Sequence, residues 1–305
     1  MSSLKKWLVA LDLTTHDQSI LKYARMLSDI LSPEHIEFVF IAQRLPDAVH
    51  AHLPEDLAYP SYDDLMEKLK SAITPFFGDS DHIRCEVLAG PIQFDLWHET
   101  FEKDIDLFIA GAKSKHKGRG LLPKKFVRKS FCSVLFVPAT VPDSIKKIWV
   151  PTDFSERSGK ALEFAVQLYE EMEPSPEICA HHIYQLPHAY YYHGFPEQQI
   201  LGAIREEAAS EFVQFSKQWV PEDIPINSCF TEIYHSYAAN NIKDEAEQSG
   251  ADLIVMASGG RSRFSKILLG SETDRLIELN VAVPLLILKE KKDHVKLWDL
   301  YSVTN

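Results

Sequence analysis

The chain repeats itself, and that restricts its folds more than any other feature. "KKWLVALDL" and "KKIWVPTDF" each carry two lysines, a short apolar run and an aspartate at the run's end. The two aspartates, Asp12 and Asp153, lie 141 positions apart. Helical patterns follow both, "DQSILKYARMLSDIL" and "ERSGKALEFAVQLYEEM", with apolar residues at i, i+3, i+4 and i+7. Second strands read "IEFVFIAQRLP" and "EICAHHIYQLP", with Leu45-Pro46 and Leu186-Pro187 again 141 apart. "IDLFIAGAKS" then matches "ADLIVMASGG", with Asp106 and Asp252 now 146 apart, and "SVLFVP" matches "PLLILKE". The drift in offset marks insertions between the second and fourth strands. A repeat of this length means two like domains.

Each half alternates strand and helix in a βαβαβ-type unit. Strands such as "DLIVM" and "VPLLIL" are continuous apolar runs, as expected of parallel strands buried on both faces. Right-handed crossovers make such a unit a doubly wound sheet. The expected division is a first domain at 1–141, a second at 142–290 and a tail at 291–305. The polar link "PATVPDSIKK", punctuated by two prolines, marks the boundary.

Charge narrows the partners. The formal net charge of −12 argues against general nucleic-acid binding. Residues 142–305 carry a net −10 and residues 1–141 a net −2, a difference made by one stretch. "KSKHKGRGLLPKKFVRK", Lys113 to Lys129, holds 8 basic residues and no acidic one. It reads either as a solvated loop or as a site that recruits an anionic partner or a protein. No apolar run is long enough to cross a bilayer, so no membrane insertion is expected. Four cysteines, far apart and without C-x-x-C spacing, read as reduced thiols and point to the cytoplasm.

Chemistry gathers in "ASGGRSRFSKILLGSETDRLIE" (Ala257–Glu278). Small residues end a buried strand, a basic loop follows, and Gly270-Ser271 open a helix. Gly260 admits close backbone approach, and a helix N-terminus offers N–H donors and a favourable dipole to an anion. Gly260, nine residues, then Gly270-Ser271 resembles the G-x-x-G-x9-G-S/T signature of ATP-binding universal stress proteins. "VPTDFSERSGKALEFA", "AHHIYQLP" with His182, and "EAEQSGADLIVMAS" resemble other segments of that family. The likeness covers both halves, so the chain is identified as a tandem member.

The resemblance implies two doubly wound five-stranded parallel sheets, order 3-2-1-4-5, of the adenine-nucleotide alpha-hydrolase-like kind. It also implies an internal pseudo-dimer built on the last strands, Val134–Val137 and Leu285–Leu288, with a further homodimer left open. For the second domain it implies adenine and ribose near Thr152, Asp153 and the backbone of Ile183. Ribose and the first phosphates fall by Met256 and Ala257. The phosphate chain falls on Gly260, Arg261, Gly270, Ser271 and Thr273. The ligand expected is ATP, with or without Mg, or else ADP or AMP.

Two residues depart from the pattern. Ala257 stands where the family has its first glycine. Glu272 replaces an apolar residue whose N–H faces the phosphates; its carboxylate repels a triphosphate unless it points outward or shares a magnesium ion. The first half departs further. Ser114 matches Gly260, and Lys124-Lys125 after Pro123 match Gly270-Ser271. Proline lacks the N–H that the cradle needs, so the first half is read as a degenerate domain. His181, His182, His188 and His193 have no carboxylate or cysteine spaced to complete a metal site. The expected function is a non-catalytic, ATP-binding stress-response module. A slow ATPase or phosphate-transfer enzyme, with Glu272 positioning water, and a nucleotide-free interaction module are the alternatives.

Overall fold

A computed structural model of the chain describes residues 4–42, 60–89, 99–112, 130, 132–187, 194–257, 269–279 and 282–289, with the backbone alone at 89 and 269–271. The chain divides into two compact units, Ser2–Val141 and Pro142–Lys289.

In the first unit the described strands are β1 (Lys6–Leu11), β2 (His35–Ala42), β3 (Ile83–Ala89), β4 (Leu107–Gly111) and β5 (Ser133–Val137). Helices α1 (Asp17–Leu31) and α2 (Tyr62–Phe77) accompany them. The second unit has β6 (Lys147–Thr152), β7 (Glu177–Tyr184), β8 (Ile226–Glu232), β9 (Leu253–Ala257) and β10 (Leu285–Leu288). Its helices are α3 (Glu156–Glu171), α4 (Glu197–Ser216), α5 (Ala238–Gln248) and α6 (Leu269–Glu278).

Strand order is β3-β2-β1-β4-β5 in the first unit and β8-β7-β6-β9-β10 in the second, so each follows 3-2-1-4-5. Pairing within each unit is parallel, from Trp7 against Ile36 to Trp149 against Cys179. One expectation is corrected. The ten described strands belong to one continuous mixed sheet, not to two separate five-stranded sheets. The expected adenine-nucleotide alpha-hydrolase-like arrangement of two sheets is therefore not the one observed. The physical reason lies in β5 and β10, whose residues are all buried. A strand built as an open edge would instead carry charges or proline.

The core follows from the pattern. Trp7, Leu8 and Val9 of β1 and Leu107, Phe108 and Ile109 of β4 are almost fully buried; so are Ile148, Val150, Leu253 and Val255 in the second unit. Helix α3 starts at Ser155, whose Oγ accepts from Ser158 N, and buries Ala161, Leu162, Ala165 and Leu168 against the sheet. Gly159 lets that helix carry the Trp219 indole, since a Cβ there would lie 2.1 Å from the ring.

Matched carboxylates tie the strand starts. Asp106 Oδ2 accepts from the amides of Lys5 (2.9 Å) and Lys6 (2.8 Å). Asp252 Oδ2 accepts from Lys146 (2.8 Å) and Lys147 (3.0 Å). The central strands are therefore clamped at their amino ends. The opposite ends are freer: among the described residues β6 pairs with β9 at Ile148 and Trp149, two residues per strand. Pro151, without an N–H, cannot extend that ladder as a donor. Strand order reverses between these two strands, where open α/β sheets bind ligands beyond the carboxyl ends.

Candidate functional site

Thr152 ends β6 beside this crevice and is 6% exposed. Its Oγ1 donates to Ser158 Oγ (3.0 Å) and accepts from Phe154 N (3.1 Å). Asp153 Oδ1 accepts from both the amide (3.1 Å) and the hydroxyl (2.5 Å) of Ser155. Such a local side-chain turn fixes the corner between strand and helix. Between them Phe154 is held at a φ of 60°, a left-handed conformation uncommon for an aromatic residue.

The corner has a support that sequence reasoning missed. The Phe154 ring stacks on the His182 imidazole, with centroids 4.2 Å apart and planes 17° from parallel. His182 Nδ1 lies 2.9 Å from the Thr152 carbonyl oxygen. A carbonyl can only accept, so Nδ1 carries the hydrogen. Burial lowers the His182 pKa, partly offset by that bond, and keeps the ring neutral. The histidine was visible in "AHHIYQLP"; its stacking partner requires a backbone conformation that no propensity suggests.

Ile183 follows His182 on β7 and is buried, as are Met256 and Ala257 at the end of β9. Gly260 and Arg261 lie outside the described residues. Gly270 and Ser271 sit in the first turn of α6. The first four N–H groups of a helix have no intrahelical acceptor, so this turn offers backbone donors. Thr273 is 2% exposed and belongs to the same helix start.

Glu272 is the residue whose role changes most. Its Oε2 accepts from Ala239 N at 2.6 Å, in a buried contact across 33 positions. Helix α5 begins at Ala238, and its N-cap, Tyr237, supplies no side-chain acceptor. Glu272 takes over that duty from another helix, and its charge meets the positive end of the α5 dipole. Arg275, one turn later, places its guanidinium 3.2 Å from the centroid of the Tyr237 ring. Two contacts thus lock the start of α6 to the start of α5.

The first unit repeats the corner with other chemistry. Asp12 Oδ1 accepts from Thr14 N (3.2 Å) and Thr14 Oγ1 (2.5 Å), and Leu13 has a φ of 57°. Leu11 stands where the second unit has Thr152, so no hydroxyl is available. Instead the Asp17 carboxylate accepts from Asp12 N (3.2 Å) and Leu13 N (2.7 Å). Burial, with the Asp12 charge, pushes the Asp17 pKa up to about 6. His16 Nε2 donates to the Val137 carbonyl (3.0 Å), and its ring lies over Gly111, where a Cβ would come within 2.8 Å.

Elsewhere in the first unit, carboxylate oxygens of Glu37, Glu86 and Glu99 lie within 4.8 Å of one another. The Lys103 ammonium sits among them, 2.7, 2.8 and 2.5 Å away respectively. A cation therefore already occupies that cluster. The stretch Lys113–Lys129 and the tail 291–305 lie outside the described residues. Among the described residues no helix is long and apolar enough to cross a membrane, and Cys85, Cys132, Cys179 and Cys229 are free thiols.

The universal stress protein family profile matches residues 144–289. A universal stress protein of Methanocaldococcus jannaschii is 30% identical over 151 residues, covering 48% of this chain and 84% of that protein. The chain belongs to the universal stress protein family. Two solved structures are similar in fold over nearly its whole length. One, from Archaeoglobus fulgidus, is a universal stress protein 17% identical with a TM-score of 0.58, covering 95% of this chain and 98% of that one. The other, a putative universal stress protein from Pseudomonas aeruginosa, is 14% identical with a TM-score of 0.64, covering 98% of each.

Proposed function

We propose that this universal stress protein is a tandem member whose second domain, 142–290, binds one adenine nucleotide, while its first, 1–141, is degenerate. The observation that carries the reading is the position of Gly270-Ser271. They open α6, the helix that follows β9 in the chain, and β9 is one of the two strands between which strand order reverses. Backbone donors there suit a phosphate chain, and the corner at Thr152 and Asp153 suits the nucleoside. Gly260, Arg261, Met256, Ala257 and Thr273 complete the proposed site, with the Ile183 backbone at the base. The ligand is ATP, with or without Mg, and ADP or AMP would use the same cradle. Magnesium would shield the phosphate charge; its ligands here would be phosphate and water, because the Glu272 carboxylate is committed to Ala239 N.

That commitment also favours a regulatory module over a slow ATPase. Glu272 was the one side chain suited to position an attacking water, and it points at α5. A basic stretch of 8 cations, Lys113–Lys129, is proposed to recruit an anionic partner. Nucleotide binding is tested by thermal unfolding with and without Mg-ATP. A rise in midpoint supports the site, and no rise with any adenine nucleotide makes the chain a nucleotide-free module. Steady phosphate release would restore the enzyme reading.

A further inference from the structure

The second unit holds a groove of about 580 Å³ between the end of β7 and the first half of α4. It arises from one helical stripe. Ile200, Ile204, Ala208, Phe212 and Phe215 recur every three or four residues and so share a face. Ala208, Phe212 and Phe215 are buried, whereas Ile200 and Ile204 are only half-buried and line the groove. The apolar stripe thus continues two turns past the point where its helix packs on the sheet. Tyr184 and Phe195 add aromatic wall, and Phe195 is 62% exposed.

The polar part of the lining is acidic. Glu207 and Glu211, one helical turn apart, border the groove, and neither makes a hydrogen bond or ion pair among the described residues. Burial lowers the pKa of His182, also in the wall, and the nearby Glu211 charge offsets that only in part. His182 is shared with the corner at Thr152 and Phe154, so the groove adjoins the proposed nucleoside site, while its other lining residues, on α4 and at Tyr184 and Phe195, take no part in that site. We propose that this groove binds a small organic ammonium ion carrying an aryl or short alkyl body. Its volume is within the usual range for small-molecule sites, roughly 300–1,000 Å³. The apolar body covers Ile200 and Ile204, the ammonium pairs with Glu207 and Glu211, and aromatic faces favour a cation over an anion. Charge complementarity selects the occupant.

The test uses two probes of one shape and opposite charge, 4-phenylbutylammonium and 4-phenylbutyrate, titrated into the full chain by calorimetry. The ammonium should bind saturably and the carboxylate at least about tenfold more weakly. The double variant Glu207→Gln/Glu211→Gln should lose about tenfold for the ammonium and with it the discrimination. Ile204→Trp, which fills the groove, should abolish binding of both probes. Equal binding of the two probes, no binding of either, or an unchanged ammonium affinity in the double variant would overturn the proposal. So would a dimer in sedimentation that Ile204→Trp dissociates, since the groove would then be covered by a second copy of the chain.

Discussion

The two units build one strand-to-helix corner in two ways. Each has an aspartate, then a residue with positive φ, then a hydroxyl bound by that aspartate: Asp12-Leu13-Thr14 and Asp153-Phe154-Ser155. In the second unit neutral hydroxyls, Thr152 and Ser158, hold the corner, and an aromatic stack supports it. In the first, a buried carboxylate does so, and an imidazole lies over the glycine that ends β4. Both solutions keep the backbone. The first corner thus holds two carboxylates, Asp12 and Asp17, where the second has Asp153 alone, so it would repel nucleotide phosphates more strongly. Fold and ligand site therefore separate: the repeat preserves the first and lets the second diverge.

The largest expected effect falls on the cradle. Gly270→Val should weaken ATP binding a hundredfold or more, roughly 3 kcal/mol, whereas Lys124→Val at the matching place should change it little. Calorimetry on both variants checks this, and equal effects would erase the contrast between units. Next is Glu272. From sequence alone, an apolar residue there relieves repulsion and tightens binding. The structure adds a second effect: Glu272→Val should leave Ala239 N buried without an acceptor and cost about 1–2 kcal/mol of stability. Chemical unfolding gives the cost, and faster hydrogen exchange at the Ala239 amide locates it. Glu272→Gln, which keeps an acceptor, should lose less.

A smaller effect tests the covered corner. Gly111→Ala should destabilise by about 1–2 kcal/mol, because its Cβ would meet His16. The loss should shrink in a His16→Ala background, a coupling that a double-mutant cycle measures. Ala257, the counterpart of Gly111, already carries a Cβ.

The last effect is one of pH. The folded Asp17 pKa is raised from 3.8 to about 6, so between those values the folded state holds a proton that the unfolded state has released. Stability from this group therefore falls as pH rises from about 4 through 6. Unfolding midpoints should show that decline in the wild type and a flatter profile in Asp17→Asn. Equal slopes would mean the carboxylate is not buried as described.

Much of this was legible in the sequence. Paired lysines and the aspartates Asp106 and Asp252 marked equivalent strand starts, and apolar runs marked buried parallel strands. Thr152, Asp153, Met256 and Ala257 fall at strand ends, and Gly270 and Ser271 at a helix start, as their spacing implied. Three things were not legible, each for a physical reason. Continuity of one ten-stranded sheet depends on edge pairing, which periodicity within a strand does not encode. The partner of Glu272 is a backbone amide 33 positions away, and an amide has no side-chain signal. The Phe154–His182 stack depends on a left-handed backbone at a bulky residue.

The central claim is a count. Calorimetric titration of the intact chain with Mg-ATP should give one site per chain, and that site should vanish in Gly270→Val. Two sites of similar affinity, or a wild-type titration retained by Gly270→Val, would contradict the claim that the nucleotide belongs to the second unit alone.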